Sequence, residues 1–510
     1  MNHWIVAPVL LPLVTGALLL VLESSGLTAK RRLSVASTVA LIPVALGLMS
    51  VAATGEQQIY YLGDWPAPFG IVLVLDRLSA LMLLLTSVLA SASLFYAVGG
   101  DDTRGADFHA LFQFQLLGVN GAFLTGDLFN LFVFFEILLI ASYCLIVHGG
   151  GSARIRAAMH FVVLNLVGSS VFLIALGTIY GTLGTLNMAD LAVKVATADA
   201  DSIGLVKVAG LMLLVVFGLK AALLPLGFWL PAAYRSATAS VACLFAIMTK
   251  VGVYAVLRVH ILIFIDPSHG AFSLETWLLP LALTTIVLGT IGAMAASELR
   301  ATVSYLVVVS VGTLLAALSL LTRDALSAAL YYLIHSTLVT GGLFLLCDLI
   351  GRQRGTVQAR LDQSQAVYQP LLLGSLFFFA AISVSGLPPL SGFVAKLAIL
   401  QAAQASTAVV WVWGVILISG LFVIVTLSRA GTAIFWRTED TEGEARQVRG
   451  REALATGGLL GGAILLMVFG ASTLDYTRAT AEQLLQRSGY IDAVLANESV
   501  SVPASMRNPR

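Results

Sequence analysis

Residues 215–229 read VVFGLKAALLPLGFW, an apolar run that carries a lysine at 220, a proline at 225 and a glycine at 227. Proline removes a backbone donor and glycine loosens a helical turn, so the run predicts a helix that is interrupted after Lys220. Irregular backbone within a bilayer persists only where it lines a cavity or is buried in protein. The run therefore predicts a polar interior inside a membrane-embedded chain.

The composition of the whole chain is that of a membrane protein. Of its 510 residues, 58% are hydrophobic and 11% are charged, and the mean hydropathy is +0.94, whereas a soluble domain carries roughly 25% charged residues. Apolar runs of about twenty residues recur, and each can cross the hydrocarbon core as a helix, whereas a barrel would show short alternating segments. The sequence predicts an all-α integral membrane protein with about 14 transmembrane helices, at residues 4–22, 33–53, 76–98, 108–125, 127–147, 158–180, 205–229, 239–263, 276–297, 301–322, 325–350, 368–402, 408–434 and 453–473.

Several classes of function receive no support from the sequence. The net charge of +1 does not indicate nucleic-acid binding. Cys144, Cys243 and Cys347 each lie in an apolar run, which is typical of small buried hydrophobic residues and not of disulfide, metal or iron–sulfur spacing. No haem, flavin or nucleotide motif is present, so we expect no cofactor. The first run lacks a basic start and a cleavage site, and we interpret it as a retained helix.

Basic residues alternate between successive loops, which predicts the orientation of the chain. With both termini outside, the loops on the cytoplasmic side are the basic ones, and the opposite loops at 54–75 and 264–275 carry acidic residues such as Asp64 and Asp266. The cytoplasmic set is Lys30, Arg31, Arg32, Arg104, Arg154, Arg156, Arg235, Arg300, Arg352, Arg354, Arg360, Arg437, Arg446, Arg449 and Arg451, and the exceptions are Lys194, Lys207 and Arg323. The amphipathic tail after residue 475 is expected at the outer surface or against a partner.

Four ionisable residues fall well inside predicted spans. Three of the six lysines do so, and the fourth group is a glutamate in the run 128–143; the set is Glu136, Lys220, Lys250 and Lys396. A charge in mid-membrane costs about 2.5–3.5 kcal/mol even on lenient scales. Four of them therefore cost on the order of 10 kcal/mol, comparable to the net stability of a domain. Such residues must face one another or a hydrated interior.

These charges have two structural interpretations and one functional one. Snorkelling suits lysines near helix ends, but these lie several residues from the ends, and one ion pair with Glu136 leaves two lysines over. Burial disfavours the charged form of a lysine and a nearby carboxylate favours it. A lysine subject to both can gain and lose a proton, as a proton relay requires.

A second interrupted run, SGLPPLSGFVAK at 385–396, ends on the third of these lysines. The expected breaks are Pro225, Gly227 and Pro231 in the seventh span and Gly386, Pro388, Pro389 and Gly392 in the twelfth. Five spans separate the two, so they run in opposite directions, as an inverted repeat of two five-helix units requires. Ordinary proline kinks are the alternative interpretation.

Two further polar residues are less specific. His335 lies in the run ALYYLIHSTLVTGG at 329–342, where it serves either a proton relay or a hydrogen bond between helices. Asp127 precedes the fifth span and is expected to be the N-terminal cap of that helix.

In combination, the runs around Glu136, Lys220, Lys250 (MTKVGVY) and Lys396 resemble the antiporter-like subunits shared by the membrane arm of respiratory complex I and the Mrp-type cation/proton antiporters. Within that superfamily the chain is most similar to the D subunits of the Mrp-type (Mnh/Pha) antiporters, since one complex I relative has a glutamate at the position of Lys396. The resemblance covers essentially the whole chain.

This resemblance implies fourteen helices, with spans 4–8 and 9–13 as inverted units and spans 7 and 12 broken. The expected divisions are residues 1–100 (three N-terminal helices), 101–265 and 266–435 (the two repeats) and 436–510 (the last helix and the tail). It also implies a hydrophilic axis through Glu136, Lys220, Lys250, His335 and Lys396. Some relatives carry histidine or lysine near Ser310, Ser336 and Thr340, so the outlet of the path in the second half stays open.

Three functions fit these expectations. The first is a subunit of a Na+(K+)/H+ antiporter in the bacterial cytoplasmic membrane, surrounded by lipid and assembled with a large antiporter-like subunit and several small membrane subunits. The second is a proton-pumping subunit of complex I or a membrane hydrogenase. The third is a passive scaffold whose charges serve assembly.

Overall fold

The structure is a computed structural model that describes residues 3–22, 26–265, 274–362, 364–439 and 447–496. Helices make up nearly all of it, because the apolar runs are long and their backbone groups are satisfied within each segment. The helices are α1 (Ala7–Val21), α2 (Leu27–Ala52), α3 (Arg77–Ala97), α4 (Phe108–Leu124), α5 (Leu128–Val147), α6 (Ser152–Leu183), α7 (Met188–Ala196), α8 (Ala200–Ala221), α9 (Trp229–Ser236), α10 (Ala239–Phe245), α11 (Met248–Ala255), α12 (Leu274–Ala295), α13 (Leu299–Ser319), α14 (Arg323–Gln353), α15 (Pro370–Ser385), α16 (Ser391–Ala402), α17 (Val409–Phe435), α18 (Gly450–Val468), α19 (Gly470–Leu485) and α20 (Arg487–Leu495).

Within the described residues, 12 helical stretches are long and apolar enough to cross a membrane. The expected all-helical membrane architecture is confirmed at this level. Two of the predicted runs take another form. The run 108–125 forms α4, which has 17 residues, and the run 368–402 divides into the shorter helices α15 and α16.

Four strands and one short helix were not expected from the sequence. A hairpin of β1 (Gln58–Tyr61) and β2 (Val72–Leu75) occupies the loop after α2, and its strands pair antiparallel. The short helix α7 lies between α6 and α8. Two-residue strands β3 (Ser364–Gln365) and β4 (Thr438–Glu439) pair in parallel. Asp266 and Arg446, two of the loop residues from which the orientation is predicted, lie outside the described residues.

The predicted eighth span is the most buried part of the chain. It forms three consecutive segments, α10, α11 and a π-helix at Val256–Phe264. Every residue in the most apolar stretch of this span is buried. The helices packed around it include α3, α8, α13 and α14. A π-helical turn of this kind often accompanies a functional site. Lys250 of α11 lies in this segment and is fully buried.

The C-terminal tail folds back onto the same chain. Helices α19 and α20 carry Tyr490 and Val494 into buried positions, and the Tyr476 hydroxyl donates to the Arg77 carbonyl at 3.0 Å. Tyr490 and Val494 of the tail therefore pack against this chain itself. The prediction that Asp127 caps the N-terminus of α5 is confirmed. Its carboxylate accepts a hydrogen bond from the backbone N–H of Asn130 at 2.8 Å.

The basic loops assigned to one side of the membrane meet in the structure. They line a cavity of about 350 Å³ with Arg104, Arg154, Arg235, Arg300, Arg352 and Arg360. Four of these six arginines form ion pairs, Arg104 with Asp101, Arg300 and Arg352 with Asp348, and Arg360 with Asp362. The loops are thus held together by ion pairs at one end of the helices.

Asp102, in the loop between α3 and α4, anchors a related ion pair. Burial alone would raise the pKa of Asp102, but hydrogen bonds from His109 at 3.2 Å and Arg31 at 2.6 Å outweigh it. The pKa of this carboxyl is consequently lowered to about 2. The ionised carboxylate joins the start of α2 to α4.

We expect Asp102 to make the stability of the protein sensitive to acid. Its folded pKa lies below the unfolded value, so its contribution is complete above about pH 4 and is lost as the pH falls towards about 2. Thermal unfolding of the purified protein between pH 7 and pH 3 should show a smaller acid-induced drop for Asp102→Asn than for the wild type. Asp475→Asn, at an exposed carboxylate, is the control and should retain the wild-type drop.

Candidate functional site

The first helix interruption follows Lys220 directly. Helix α8 ends at Ala221, Ala222 has a φ of +65°, and the chain returns to a regular helix at Trp229. Pro225 and Gly227 lie within this interruption, and a side chain on Gly227 would overlap the Ala222 carbonyl.

Pro231 does not lie in the interruption. It is the third residue of α9, in the first helical turn, where a missing N–H leaves no hydrogen bond unmade. The expectation that Pro231 is a break is therefore corrected to a residue of the following helix.

Lys220 is buried and has a neutral partner. Its side chain is 5% exposed, its ammonium donates to Asn165 Oδ1 of α6 at 3.2 Å, and it lies 6.0 Å from the centre of the Phe135 ring. Asn165 Nδ2 in turn donates to the Phe161 carbonyl at 2.9 Å, which fixes the amide with its oxygen towards the lysine. A hydrogen-bonded charge is far less costly in this setting than an unpaired one.

Glu136 is held by the same helix, one turn further along. Its carboxylate accepts a hydrogen bond from the Ser169 hydroxyl of α6, and the glutamate is partly buried. Asn165 and Ser169 are four residues apart and so share a face of α6. Among the described ion pairs, none joins Glu136 to Lys220. Helix α6 packs against both α5 and α8 and gives each charged residue its own polar contact.

Lys250 is entirely buried on α11. Its ammonium donates to Ser310 Oγ of α13 at 3.3 Å and to Thr249 Oγ1 at 3.4 Å. Gly252 brings this helix against the end of α8, because a Cβ there would lie 2.5 Å from the Ala221 nitrogen and 2.9 Å from the Lys220 carbonyl carbon. The helices that carry Lys220 and Lys250 are thus in close contact.

The second interruption differs from the first in where its lysine lies. Helix α15 ends at Ser385, Gly386 has a φ of +78°, and Pro388 and Pro389 precede the start of α16. Lys396 comes after the break, on α16, and its ammonium donates back to the carbonyls of Ser385 at 2.9 Å and Val384 at 3.1 Å. It therefore satisfies carbonyl groups that the end of α15 leaves without helical partners.

His335 of α14 contacts the start of α16. Its Nδ1 forms a hydrogen bond of 2.8 Å with Ser391 Oγ. Gly392 lies in the first turn of α16 and not in the interruption, which corrects its predicted role as a break. A Cβ on Gly392 would overlap the Ser383 carbonyl and lie 2.9 Å from His335 Nε2. The absence of a side chain at Gly392 therefore allows α14 and α15 to pack closely against the start of α16.

The five predicted residues lie on helices that pack in one series. Neighbours in contact are α5, α6, α8, α11, α13, α14 and α16, in that order. The structure does not bring any two of the five ionisable side chains into direct hydrogen-bond contact within the described residues. Four of them, all but Lys396, form hydrogen bonds with small neutral side chains instead, namely Asn165, Ser169, Thr249, Ser310 and Ser391.

Most of these neutral groups were missed by reasoning from the sequence. The available signal was Asn165 and Ser169 at helical spacing within an otherwise apolar run, but such residues also occur for simple helix packing. Ser310, named only as a possible outlet, bonds to Lys250. Ser336 donates to the carbonyl of its own helix at Leu333, and Thr340 is buried.

Comparisons with known proteins agree with this architecture. The family described as "NADH:quinone oxidoreductase/Mrp antiporter, TM" matches residues 125–424. The D subunit of a probable K(+)/H(+) antiporter from Rhizobium meliloti is 41% identical over 97% of this chain and 98% of its own length. The chain belongs to the NADH:quinone oxidoreductase/Mrp antiporter family.

Other proteins are similar to this chain over nearly the same length. The D subunit of a Na(+)/H(+) antiporter from Bacillus subtilis is 38% identical over 97% of this chain and 100% of its own. A chain in the structure of the Mrp complex from Dietzia sp. has a TM-score of 0.86 and 26% identity, and covers 97% of this chain and 100% of its own. A chain of the archaeal membrane-bound sulfane sulfur reductase has a TM-score of 0.88 and 25% identity, and covers 96% of this chain and 99% of its own length.

The contact at Gly252 gives a test of the packing between the helices that carry Lys220 and Lys250. Gly252→Ala places a methyl group against the backbone of Ala221, and overpacking of this kind costs about 1–3 kcal/mol. We expect a lower thermal unfolding midpoint for the purified protein. Gly177→Ala is the matched control, because a Cβ at Gly177 meets nothing within 4 Å; equal midpoints for the two variants would contradict the close contact.

Proposed function

We propose that this chain is the proton-translocating subunit of a multisubunit Na+(K+)/H+ antiporter of the bacterial cytoplasmic membrane. The names of its relatives as D subunits of K+/H+ and Na+/H+ antiporters support this assignment. Inward movement of external protons drives the alkali cation out. The proton path runs through Glu136, Lys220, Lys250, His335 and Lys396.

One observation carries the proposal: three membrane-embedded lysines are bonded to neutral groups within the described residues. Lys220 contacts an amide, Lys250 two hydroxyls and Lys396 two backbone carbonyls. A structural ion pair would fix each charge against a carboxylate. A neutral hydrogen-bond acceptor tolerates the gain and loss of a proton on the lysine with a smaller change in energy.

In the proposed mechanism, helix α6 separates the two members of a switchable pair. Lys220 rests on Asn165 and Glu136 rests on Ser169, one helical turn apart. When Lys220 leaves Asn165 for Glu136, the ion pair closes, and a proton reaching Glu136 opens it again. Movement of one charge across the membrane potential supplies about 2.3 kcal/mol per 100 mV, which is enough to bias such an exchange.

The proton then passes from the first half of the chain to the second. Lys250, whose helix α11 packs against α8, takes the proton from Lys220, and Ser310 supports the charged form. His335 and Ser391 lie next on the series of packed helices. Lys396 passes the proton to the second half-channel, and protonation of this lysine weakens neither of its carbonyl contacts.

We further propose fourteen membrane crossings, obtained by adding α4 and the α15–α16 pair to the 12 long helices. Residues 101–265 and 266–435 form the two inverted repeats, residues 1–100 the N-terminal segment and residues 436–510 the last helix with the tail. Both termini lie outside. Lys220 precedes its interruption and Lys396 follows the other, so the two repeats share the break and not the position of the lysine. A large antiporter-like subunit and several small membrane subunits are the expected partners.

Removal of either member of the switch should abolish transport without loss of assembly. We expect Lys220→Ala and Glu136→Ala to eliminate cation-dependent proton flux in vesicles that contain the complete complex. Lys194→Ala, at a 40% exposed lysine side chain paired with Asp190, should retain the flux. Normal flux in both site variants would refute the mechanism, and loss of the complex in both would support the scaffold function.

The polar contacts on α6 should tune the switch. Ser169→Ala removes the donor to Glu136, and Asn165→Leu leaves the Lys220 ammonium without its acceptor, so we expect about a tenfold or larger loss of flux, equivalent to about 1.4 kcal/mol. The pH at which flux is half-maximal should also move, which a purely structural role would not cause. Ser170→Ala is the control, because this exposed neighbour bonds only to the Leu166 carbonyl among the described residues.

A redox-driven proton pump is the second candidate, and the similarity to a chain of the sulfane sulfur reductase, an archaeal respiratory complex, favours it. The same path would serve, with energy supplied by redox partners. Purification of the chain from native membranes separates the two functions. Small membrane subunits alone indicate the antiporter, and co-purified iron–sulfur proteins indicate the pump.

A further inference from the structure

The structure contains a large apolar groove between α15 and α17. Its volume is about 950 Å³, at the upper end of the range of about 300–1,000 Å³ typical of ligand pockets. It is lined at one end by Pro370 and Trp436, and at the other by Ser385, Leu387 and Ile424. Helix α15 has 16 residues and is therefore about 24 Å long, more than the half-thickness of a hydrocarbon core, about 15 Å.

A smaller, basic cavity lies beside this groove. Its volume is about 220 Å³, and its lining includes Arg429 and Arg437 and no acidic residue. Ser428 and Thr432 line both spaces, so the two meet on α17. Both arginines are exposed, and neither guanidinium has a hydrogen bond or ion pair with another residue in the described part of the chain.

The deep end of the groove can face hydrocarbon. Leu387, Pro388 and Pro389 are exposed there, proline has no N–H to leave unpaired, and the Leu387 amide already donates to the Ile382 carbonyl. The carbonyls of Val384 and Ser385 accept from Lys396. An acyl chain can therefore lie against this interruption without desolvating an unsatisfied backbone donor.

We infer that the groove and the basic cavity together bind one anionic phospholipid. An acyl chain occupies the groove, and the phosphate lies between Arg429 and Arg437, which supply guanidinium donors suited to phosphate oxygens. Basic pockets between membrane helices on the cytoplasmic side bind anionic headgroups in this way. Because the groove reaches Ser385, the lipid contacts the segment whose carbonyls hold Lys396.

The first test counts bound lipid. The complete complex is purified, stripped of lipid, reconstituted with equal amounts of phosphatidylglycerol and phosphatidylethanolamine, and weighed by native mass spectrometry. We expect the wild type to retain phosphatidylglycerol preferentially. Arg429→Gln with Arg437→Gln should reduce that retention at least fivefold, as should Gly374→Leu, which extends a side chain into the groove beside Phe435.

Arg32→Gln is the control, because Arg32 is another exposed arginine assigned to the same side of the membrane. Four acidic residues follow Arg437 in the sequence, so the single variant Arg429→Gln is also measured and should lose part of the retention. Unchanged phosphatidylglycerol in the double variant, or equal retention of the two lipids by the wild type, would overturn the proposal.

The second test identifies what occupies the groove in native membranes. A photoreactive amino acid replaces Phe378, a groove residue that is 68% exposed, and a parallel protein carries it at Phe129 on α5, which is 48% exposed. We expect the Phe378 position to cross-link to phospholipid with a preference for anionic species that the Phe129 position does not show. A cross-link from position 378 to another subunit would mean that a protein helix fills the groove, and would overturn the assignment.

Discussion

The interior of this protein is organised by the cost of placing a charge away from water. Lys220, Lys250 and Lys396 cannot remain in the membrane unless each ammonium has acceptors, and the structure supplies an amide, hydroxyls and backbone carbonyls. The choice of neutral acceptors has a consequence. A carboxylate partner would fix one protonation state, whereas a neutral partner keeps both states accessible.

This requirement explains why the helices are broken where they are. The end of α15 leaves carbonyls without helical donors, and Lys396 supplies the missing donor. At the end of α8, just before the turn at Ala222, Gly252 lets α11 pack closely against the backbone of Lys220 and Ala221. At the end of α15, the irregular backbone and the buried ammonium of Lys396 thus stabilise each other.

The two halves of the chain use the break differently. In the first half the lysine belongs to the helix before the interruption and reaches sideways to α6. In the second half it belongs to the helix after the interruption and reaches back to the preceding carbonyls. In the proposed mechanism, the first arrangement lets Lys220 exchange the Asn165 amide for Glu136. The second holds Lys396 at the interruption, beside the groove between α15 and α17.

The sequence by itself determined the helical membrane class, the positions of the apolar runs, the two interruptions and the four intramembrane charges. These depend on local chemistry: hydropathy over about twenty residues, the missing donor of proline and the cost of an ion in hydrocarbon. The tertiary structure alone decided the partner of each charge. Asn165 and Ser169 matter because α6 packs between α5 and α8, and Ser310 because α13 faces α11. It also placed Pro231 and Gly392 inside regular helices, since a proline or glycine in a first turn satisfies the same local pattern as one in a break. Contacts between distant segments leave no periodic trace in the chain, and so only packing could reveal them.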